Sequence, residues 1–434
     1  TVVIYKQIDR TMDIKKIVNF IFLLVFSCII KAQMTIPPFP KWEKGYLDIH
    51  HINTGRGNCA FLIFPDGTTM MIDAGDFDGK EYAAKYAPMH AAPIFPDSSY
   101  TPGSSIINYV TNLLGKDVVI DYFLLTHFHS DHYGDVQKAT GTSKNGYRIT
   151  GLTEVGDVIP IKMYVDRDYP DYQFPVDLRS KNDGVDLPTF LNLLEFLNYQ
   201  EKHNGLKVEK FDIGSNTQFV LKKEPKSYPG FEVRNIKSNN RLWTGEGKKT
   251  TILFTKEELM AKNGKYSENQ MSTAIVVKYG AFKYYAGGDN SGLVDQDHAE
   301  WYDIETPMAP IIGKVSAVSL NHHSNRDATN RNFLEVLDPK VVVAQSWSTD
   351  HPGAEVGQRL LSKNIGTQPR DVFMTYYDDE TGVAIGPWFA RSLKAKQGHI
   401  VIRVYPDGEY EVYVLDARKT DLVISNRFGP YSSE

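Results

Sequence analysis

The sequence predicts an α/β protein whose sheets are covered by helices on their outer faces. Strand-like and helix-like stretches alternate along the 434 residues, without internal repeats or low-complexity segments. The turn sequence Pro-Asp-Gly stands between strand-like stretches at 65–67 and again at 406–408, and predicts two hairpins. A hydrophobic fraction of 41%, with 33 glycines and 22 prolines, is typical of a globular protein with a large core. These observations together favour an α/β sandwich.

Cysteine content and charge limit the kinds of site that the chain can carry. Two cysteines exclude a disulfide scaffold and a thiolate-rich zinc module, since both need clustered cysteines. Any metal ion must therefore be held mostly by His and carboxylate side chains. The formal net charge of −5 argues against generic affinity for nucleic acid, so we expect no stable nucleic-acid complex. Nothing in the composition indicates an oligomeric state.

Residues 1–33 have the pattern of a secretory signal peptide. A basic stretch at 12–16 precedes an apolar run at 17–30, and Ala32 offers a cleavage site. We therefore expect an exported protein, periplasmic or extracellular. An uncleaved N-terminal anchor is the alternative, although the apolar run is short for a membrane span.

The rest of the chain, residues 34–434, is expected to form one domain with no transmembrane segment once the signal is removed. Residues 1–11 precede a better initiator, Met12, and are interpreted as a start-site artefact. A lipid anchor at Cys28 is disfavoured because the bulky Phe26 makes a poor lipobox.

The first part of this domain predicts a hairpin, a helix and a buried strand. Stretches rich in apolar residues predict strands at 46–53, 59–64 and 68–73. Ser104 or Ser105 is expected to cap a helix that runs to about residue 114. The stretch 118–125 is apolar except for Asp121, which is typical of a strand that is buried on both faces.

Residues 136–265 show a looser pattern, interpreted as an irregular insertion. This segment contains one clear amphipathic helix at 187–203 and strand-like stretches such as 219–222 and 231–236. Regular order returns after it, with predicted strands at 274–279, 283–286, 315–320, 340–344, 399–405 and 410–415 and helices from residue 332 and at 353–362.

The most informative segment follows the predicted strand 118–125. Within six residues it carries His127, His129, Asp131 and His132. Side chains repeat every two residues in an extended loop, so the first two histidines point the same way and can share one cation. The other two lie where the chain turns into a helix and can face a second cation. Three imidazoles and a carboxylate this close are costly to bury without a cation, so the segment predicts a metal site.

Further blocks stand in a fixed order along the chain. They are a glycine-bearing loop at 54–59, a hairpin at 64–75, a polar loop at 268–273, a strand ending in Gly-Asp at 285–289, the pair at 322–323 and a His-Pro pair at 351–352. With the preceding HxHxDH motif, this order resembles the metallo-β-lactamase superfamily. Within it, the chain is most similar to the hydrolase domain of the ComEC-like DNA-uptake proteins and their secreted relatives. The resemblance implies a four-layer αββα sandwich with a dinuclear site between the sheet edges.

The resemblance also implies a set of metal ligands. They are His127, His129, Asp131, His132, Asp289 and His323. The first two would bind one ion, and Asp289 would bridge both ions. Alignment on the residue after the pair favours His323 as ligand, while His322 would support it or reach the substrate. We expect two divalent ions, Zn²⁺ before Mn²⁺ or iron, because all ligands are imidazoles and carboxylates.

Catalytic and supporting roles are expected for other groups. Asp131 can orient the attacking water as well as bind metal, and His322 can act on the substrate. His351, Tyr376 or Tyr377 would protonate or bind the leaving group. A further residue, Asp73, is expected to fix the tautomer of a ligand histidine, or alternatively to cap a turn.

The chain departs from the superfamily pattern at several positions. A third histidine for the first ion is missing, since His203 ends a helix and is interpreted as a solvated residue; Asp166 or Asp168 is the expected substitute. Asn58 replaces the usual Asp, and Ser324-Asn325 replaces Gly-Ser. We expect these two changes to affect specificity more than fold.

The expected activity is metal-dependent hydrolysis of a small or oligomeric phosphoester. Two cations hold a hydroxide and contact two oxygens of a phosphodiester, such as a nucleic-acid fragment or a phosphorylated headgroup. Arg326 would add a phosphate contact or start a surface helix. The alternatives are a lactonase or β-lactamase type ester or amide hydrolase, and a non-catalytic binding module on the same fold.

Overall fold

The computed structural model describes residues 38–180, 184–261, 267–293 and 299–433. The predicted signal peptide at 1–33, with its suggested start-site artefact, lies outside the described residues. Within the described ranges, no helix combines the length and the apolar character that crossing a bilayer requires.

Nine strands form the first sheet, in the order β17-β16-β15-β1-β2-β3-β4-β5-β6. They are β1 (Leu47–His51), β2 (Ala60–Ile63), β3 (Thr69–Ile72), β4 (Tyr122–Leu124), β5 (Met163–Asp166), β6 (Lys207–Lys210), β15 (His399–Val404), β16 (Glu409–Leu415) and β17 (Ile424–Ser432). From β3 to β6 the neighbours are parallel, and the remaining pairs are antiparallel.

Eight strands form the second sheet, in the order β14-β13-β12-β11-β10-β7-β8-β9. They are β7 (Phe231–Ser238), β8 (Arg241–Trp243), β9 (Thr250–Ile252), β10 (Ala274–Tyr279), β11 (Phe282–Gly287), β12 (Ala317–Ser319), β13 (Val341–Ala344) and β14 (Asp371–Met374). Here β11 to β14 are parallel.

Helices connect the strands and cover the sheets. They are α1 (Gly79–Lys85), α2 (Pro102–Leu114), α3 (Ser130–Tyr133), α4 (Gly151–Val158), α5 (Leu187–Asn204), α6 (Lys256–Met260), α7 (Glu305–Ile312), α8 (Arg331–Leu337), α9 (Ala354–Leu361), α10 (Asp379–Ile385) and α11 (Pro387–Ser392). The start of α2 shows how local sequence sets a boundary. Thr101 and Ser104 form a capping box and Pro102 occupies the first turn, so the cap is Thr101, three residues before Ser104 and four before Ser105, the two predicted caps.

Three hydrophobic cores separate four layers. Side chains of α2, α4 and α5 pack on the outer face of the first sheet. A second core lies between the sheets and joins residues such as Leu62 and Ile400 to Val277 and Val341. A third core packs α7, α8 and α9 on the outer face of the second sheet. This arrangement confirms the predicted αββα sandwich.

The loops that carry the predicted site residues follow parallel strands of the two sheets. Because carboxyl ends of parallel strands meet at one edge, the loops after β3 and β4 lie together, as do those after β11, β12 and β13. These are the loops that carry Asp73, residues 125–132, Asp289, residues 322–323 and His351.

The prediction of an irregular insertion at 136–265 is wrong. This segment contains β5 and β6, which extend the first sheet, and β7 to β9, which build the second. Its pattern is loose because outer strands such as β6 alternate exposed polar residues with few buried ones. The predicted strand at 219–222 is also absent: the backbone of Val220 exchanges hydrogen bonds with the Tyr122 hydroxyl instead of a strand.

Candidate metal centre

The segment after β4 brings its histidines together as the spacing predicts. His127 is fully buried, and its Nε2 lies 3.1 Å from Nδ1 of His129. His129 has extended backbone and immediately precedes α3, whose first turn carries Asp131 and His132. The change from strand-like to helical backbone therefore divides the motif into two pairs of side chains.

Each of the two pairs forms its own ligand group with residues from distant parts of the chain. Ligand atoms of His127, His129 and Asp289 lie within 4.8 Å of one another, with 3.7 Å between His127 Nε2 and Asp289 Oδ2. Asp289 thus reaches the first pair from the end of β11.

The second ligand group contains Asp131, His132, Asp289 and His323. Nε2 of His132 lies 3.3 Å from Oδ2 of Asp289, and Nε2 of His323 lies 2.9 Å from Oδ2 of Asp131. Both groups share Asp289, which is the position that the resemblance assigns to a bridging carboxylate. The structure thus brings all six predicted ligands together, and their metal binding stays a prediction.

Unpaired buried atoms show that the residues present fit metal ions. Among the described residues, no hydrogen-bond partner of normal geometry exists for Nε2 of His132, Nε2 of His323 or Oδ1 of Asp289. Their near neighbours are the other ligand atoms of the second group, at 2.9 Å for His323 and Asp131 and 3.3 Å for His132 and Asp289, and a shared cation would satisfy all of them. All three are atoms that coordinate divalent cations.

The charges of the cluster also suit cations. Burial opposes a charge on His132, but the carboxylates of Asp289, Asp131 and Asp73 outweigh it and raise the pKa of this imidazole well above its usual value. Burial and the neighbouring His132 lower the pKa of His127, which keeps that imidazole neutral, as a metal ligand must be. A negative potential that holds a proton this firmly also attracts a metal ion.

Asp73 orients one of these histidines, as predicted. Its Oδ2 accepts a 2.7 Å hydrogen bond from Nδ1 of His132, and the backbone N–H of Thr126 donates to its Oδ1 at 2.8 Å. Since Nδ1 carries the proton, Nε2 of His132 is left free to face the cluster.

Two glycines allow the loops around Asp131 to touch. A Cβ at Gly57 would lie 2.0 Å from the Asp131 carbonyl oxygen, and a Cβ at Gly75 would lie 1.9 Å from it. Gly57 also has a φ of +99°, in the left-handed region that other residues rarely adopt. The adjoining N–H of Asn58 donates to this carbonyl at 2.8 Å, so the glycine loop holds Asp131 through its backbone.

The histidine pair lies on unusual backbone. His322, His323 and Ser324 have φ values of 47°, 52° and 66°, which is a left-handed turn of three non-glycine residues. The turn lets both imidazoles approach Asp289, at 3.9 Å and 3.4 Å. His323 belongs to the second ligand group, while His322 instead contacts Asp327 at 2.5 Å through Nδ1.

His351 lies beside the cluster, whereas the two tyrosines do not. The ring of His351 stacks on that of His323, with 5.1 Å between centroids, and His351 lines the adjoining cavity. Tyr376 donates to Asp378 at 2.7 Å and Tyr377 packs on Phe389. Neither tyrosine is among the described residues that line the cavity, so of the three predicted groups the structure places His351 there.

The expected substitutes for the third histidine are also engaged elsewhere. Asp166 accepts a 2.8 Å hydrogen bond from the Tyr172 hydroxyl, and Asp168 pairs with Lys210 at 3.0 Å. Neither carboxylate belongs to a ligand group, so this expectation is wrong. His203 is exposed near the end of α5, as the sequence predicts.

Arg326 does not reach the centre. Its side chain is 76% exposed and lies 3.7 Å from Glu355. It therefore has the surface position that the sequence left open as the alternative to a phosphate contact.

Sequence reasoning missed a buried ion pair that supports the motif. Arg167 contacts Glu268 through two hydrogen bonds of 2.5 and 2.8 Å, and both side chains are fully buried. Glu268 also accepts the backbone N–H of Phe128, between the two histidines of the first group, at 3.2 Å. The two residues are 101 positions apart, and no local pattern connects them.

A cavity of about 730 Å³ opens onto the centre. Its described lining includes the ligands His129, Asp131, Asp289 and His323, together with His322. A substrate in this cavity would contact both ligand groups and His322 at once.

Comparisons with known proteins agree with the motif. Residues 53–155 match the family model of the metallo-beta-lactamase superfamily. A UPF0173 metal-dependent hydrolase from Staphylococcus carnosus is 36% identical over 63 residues, which are 14% of this chain and 26% of that protein. The chain thus matches about a quarter of the length of this relative.

Three solved structures show low similarity to this chain in both sequence and fold. CmlA, a diiron β-hydroxylase from Streptomyces venezuelae, has 13% identity and a TM-score of 0.38, with 85% of this chain and 55% of that chain covered. A putative metal-dependent hydrolase from Parabacteroides distasonis has 14% identity and a TM-score of 0.33, with coverage of 75% and 92%. Unliganded yeast PDE1 has 11% identity and a TM-score of 0.34, with coverage of 83% and 99%.

The ComEC-like subgroup stays a prediction, since none of these relatives carries that name. Residues 53–155 are thus similar to the metallo-β-lactamase superfamily, and the two-sheet fold and the ligand groups at the sheet edges agree with this similarity.

Proposed function

We propose that this protein is a metal-dependent hydrolase with two divalent cations, Zn²⁺ before Mn²⁺ or iron. The observation that carries the proposal is the pair of ligand groups that share Asp289 at a cavity. A single structural ion would need neither a second group nor an opening to the cavity.

Two cations held there would supply Lewis-acid activation of water and of a substrate oxygen. Asp131 has the position to orient the attacking water, since it lies in the second ligand group and lines the cavity. His322 lines the cavity with Nδ1 against Asp327 and with Nε2 3.2 Å from the side-chain amide nitrogen of Asn269, so a substrate that displaces Asn269 would exchange a proton with Nε2. His351 can contact the leaving group from the same side.

The substrate that we propose is a phosphodiester, either a nucleic-acid fragment or a phosphorylated headgroup. Two cations held by the ligand groups would stabilise charge on two oxygens, and this would favour a phosphoryl group over a lactam, which offers one carbonyl oxygen. The ester or amide hydrolase and the non-catalytic binding module are the competing functions.

A metal analysis with a substrate panel tests these functions. Purified protein is loaded with zinc or manganese and assayed with bis-nitrophenyl phosphate, single-stranded DNA, a phosphocholine ester and nitrocefin. We expect about two ions per chain and turnover of a phosphodiester. Nitrocefin turnover without phosphodiester turnover would favour the lactamase function, and metal binding without any turnover would favour the binding module.

Substitutions in the centre test the assigned roles. Asp289→Asn keeps the shape of the side chain and removes its charge, so bound metal and activity should both fall by orders of magnitude. His323→Ala should lose one ion, whereas His322→Ala should keep both ions and mainly lose rate. The reverse result for the two histidines would exchange their roles, and unchanged metal content in Asp289→Asn would exclude Asp289 as the bridge.

Export is part of the proposal and rests on the signal pattern at 1–33. Expression of the full chain with a C-terminal tag, followed by fractionation and N-terminal sequencing, should give exported protein that begins after Ala32. An intracellular product with an intact N-terminus would contradict export.

A further inference from the structure

One wall of the cavity is built from aromatic rings. Phe77, Tyr82, Tyr86 and Trp347 line it, and we call these four residues the aromatic wall. Ring centroids are 4.6 Å apart for Phe77 and Trp347, 5.1 Å for Tyr82 and Trp347, and 5.0 Å for Tyr82 and Tyr86. The rings are therefore one continuous surface.

The aromatic wall adjoins the ligand groups directly. The ring of Trp347 lies 5.3 Å from that of the ligand His323 and 4.8 Å from that of His351. Trp347 is 7% exposed, and its indole N–H has no hydrogen-bond partner among the described residues. A group bound at the wall would thus lie beside the second ligand group.

Acidic side chains line the same cavity. Apart from the metal ligands, the carboxylates that line the cavity are those of Asp78, Glu81, Asp135, Asp186 and Asp350. Of the described lining residues, Lys85 is the one lysine or arginine. The cavity outside the metal centre is therefore negative, which disfavours a polyanion such as a nucleic-acid fragment.

Cations already lie against two of these rings. The Lys85 ammonium is 5.0 Å from the Tyr86 centroid, and the Arg56 guanidinium is 5.5 Å from the Phe77 centroid. Aromatic rings with nearby carboxylates are the combination that binds substituted ammonium groups, through cation–π and ionic attraction. With cations in the ligand groups, the metal centre would carry positive charge, whereas the carboxylates elsewhere in the cavity carry negative charge.

We infer that the substrate is a phosphodiester with a substituted ammonium group close to its phosphorus, as in a phosphocholine ester. This inference rests on the proposed function and narrows its substrate class. The phosphoryl group lies at the metal centre and the ammonium group lies against the aromatic wall. In hydrolysis the water oxygen bonds to phosphorus and the bond to the alcohol oxygen breaks. That oxygen leaves with the electron pair and takes up a proton, and the other product is a phosphomonoester.

A pair of substrates matched in shape but not in charge tests the inference. Metal-loaded protein is assayed with p-nitrophenyl phosphocholine and with its neohexyl isostere, in which carbon replaces the charged nitrogen. We expect kcat/KM to be about tenfold higher for the cationic ester. Calorimetric titration with choline and with neohexanol gives a readout that does not depend on turnover, and only choline should bind.

Variants locate the effect at the wall. Tyr82→Leu should lower the preference for the cationic ester, while Tyr82→Phe should keep it because the ring remains. Glu81→Gln should lower the preference and Lys85→Gln should raise it, since they remove opposite charges from the same helix.

The outcomes separate the two proposals. Equal kcat/KM for both esters would overturn the inference and leave the phosphodiesterase function standing. Absence of turnover for both esters and for bis-nitrophenyl phosphate, with either metal, would overturn the proposed function and the inference with it.

Discussion

Loss of the guanidinium of Arg167 should destabilise the protein and loosen the metal centre. Arg167→Met keeps most of the side-chain volume but leaves the carboxylate of Glu268 buried without the cation that it contacts at 2.5 and 2.8 Å. Both side chains are 0% exposed, so water cannot replace the lost partner. Breaking a buried pair in this way costs about 3 to 5 kcal/mol.

Urea denaturation with intrinsic fluorescence measures this cost. Arg326→Met is the matched control, because Arg326 and Glu355 are 76% and 51% exposed and a surface pair contributes at most about 1 kcal/mol. The double variant Arg167→Met with Glu268→Leu should recover part of the loss, since no charge stays buried. An Arg167→Met effect no larger than that of the surface control would refute the reasoning.

Three further predictions concern the supports of the centre and the pH dependence of the fold. Asp73→Ala should weaken metal binding about 10- to 100-fold in chelator competition, with a smaller loss in Asp73→Asn, whose amide oxygen still accepts from His132; equal losses would exclude this role. Gly57→Ala should lower the melting temperature and the metal content; Gly115→Ala is the control for backbone strain alone, since Gly115 has a similar φ of +93° and no atom within 4 Å of the added Cβ, so it should lower the melting temperature less and leave the metal content unchanged. Burial lowers the pKa of His51, which bonds the Tyr284 hydroxyl across the sheets, to about 4. The unfolded chain therefore binds more protons than the folded protein between about pH 6.5 and pH 4, and stability is lost as the pH falls. We expect His51 alone to make the protein about 2 kcal/mol less stable at pH 5 than at pH 7.5; urea titrations of wild type and His51→Gln with the same pH dependence would contradict this.

The local part of the metal centre could be predicted because it depends on short spacing. His127 and His129 lie two residues apart on extended backbone, so their side chains share a face whatever the rest of the chain does. Runs of apolar residues are also a local signal. They predict the central strands β10 and β13 within one residue of their bounds.

Interactions between distant segments could not be predicted in this way. Arg167 directly follows β5 of the first sheet, and Glu268 lies in the loop before β10 of the second sheet. Only the packing of the two sheets brings these side chains into contact. The backbone at 322–324 is another example. A left-handed turn of non-glycine residues is unfavourable in isolation, so local sequence predicts an extended chain, and the surrounding contacts decide otherwise.

The sequence by itself determined the sandwich class, through hydrophobic periodicity, and the six residues expected to bind metal, through the family resemblance that the motif and the order of the blocks carry. Only the tertiary structure decided that Arg167 meets Glu268, that the backbone at 322–324 forms a left-handed turn, and that Tyr82 and Trp347 form one aromatic surface. The physical reason is that spacing sets the direction of a side chain relative to its neighbours in the chain. Distances between the ends of separate strands are set by sheet order and by packing between layers, which no local pattern specifies.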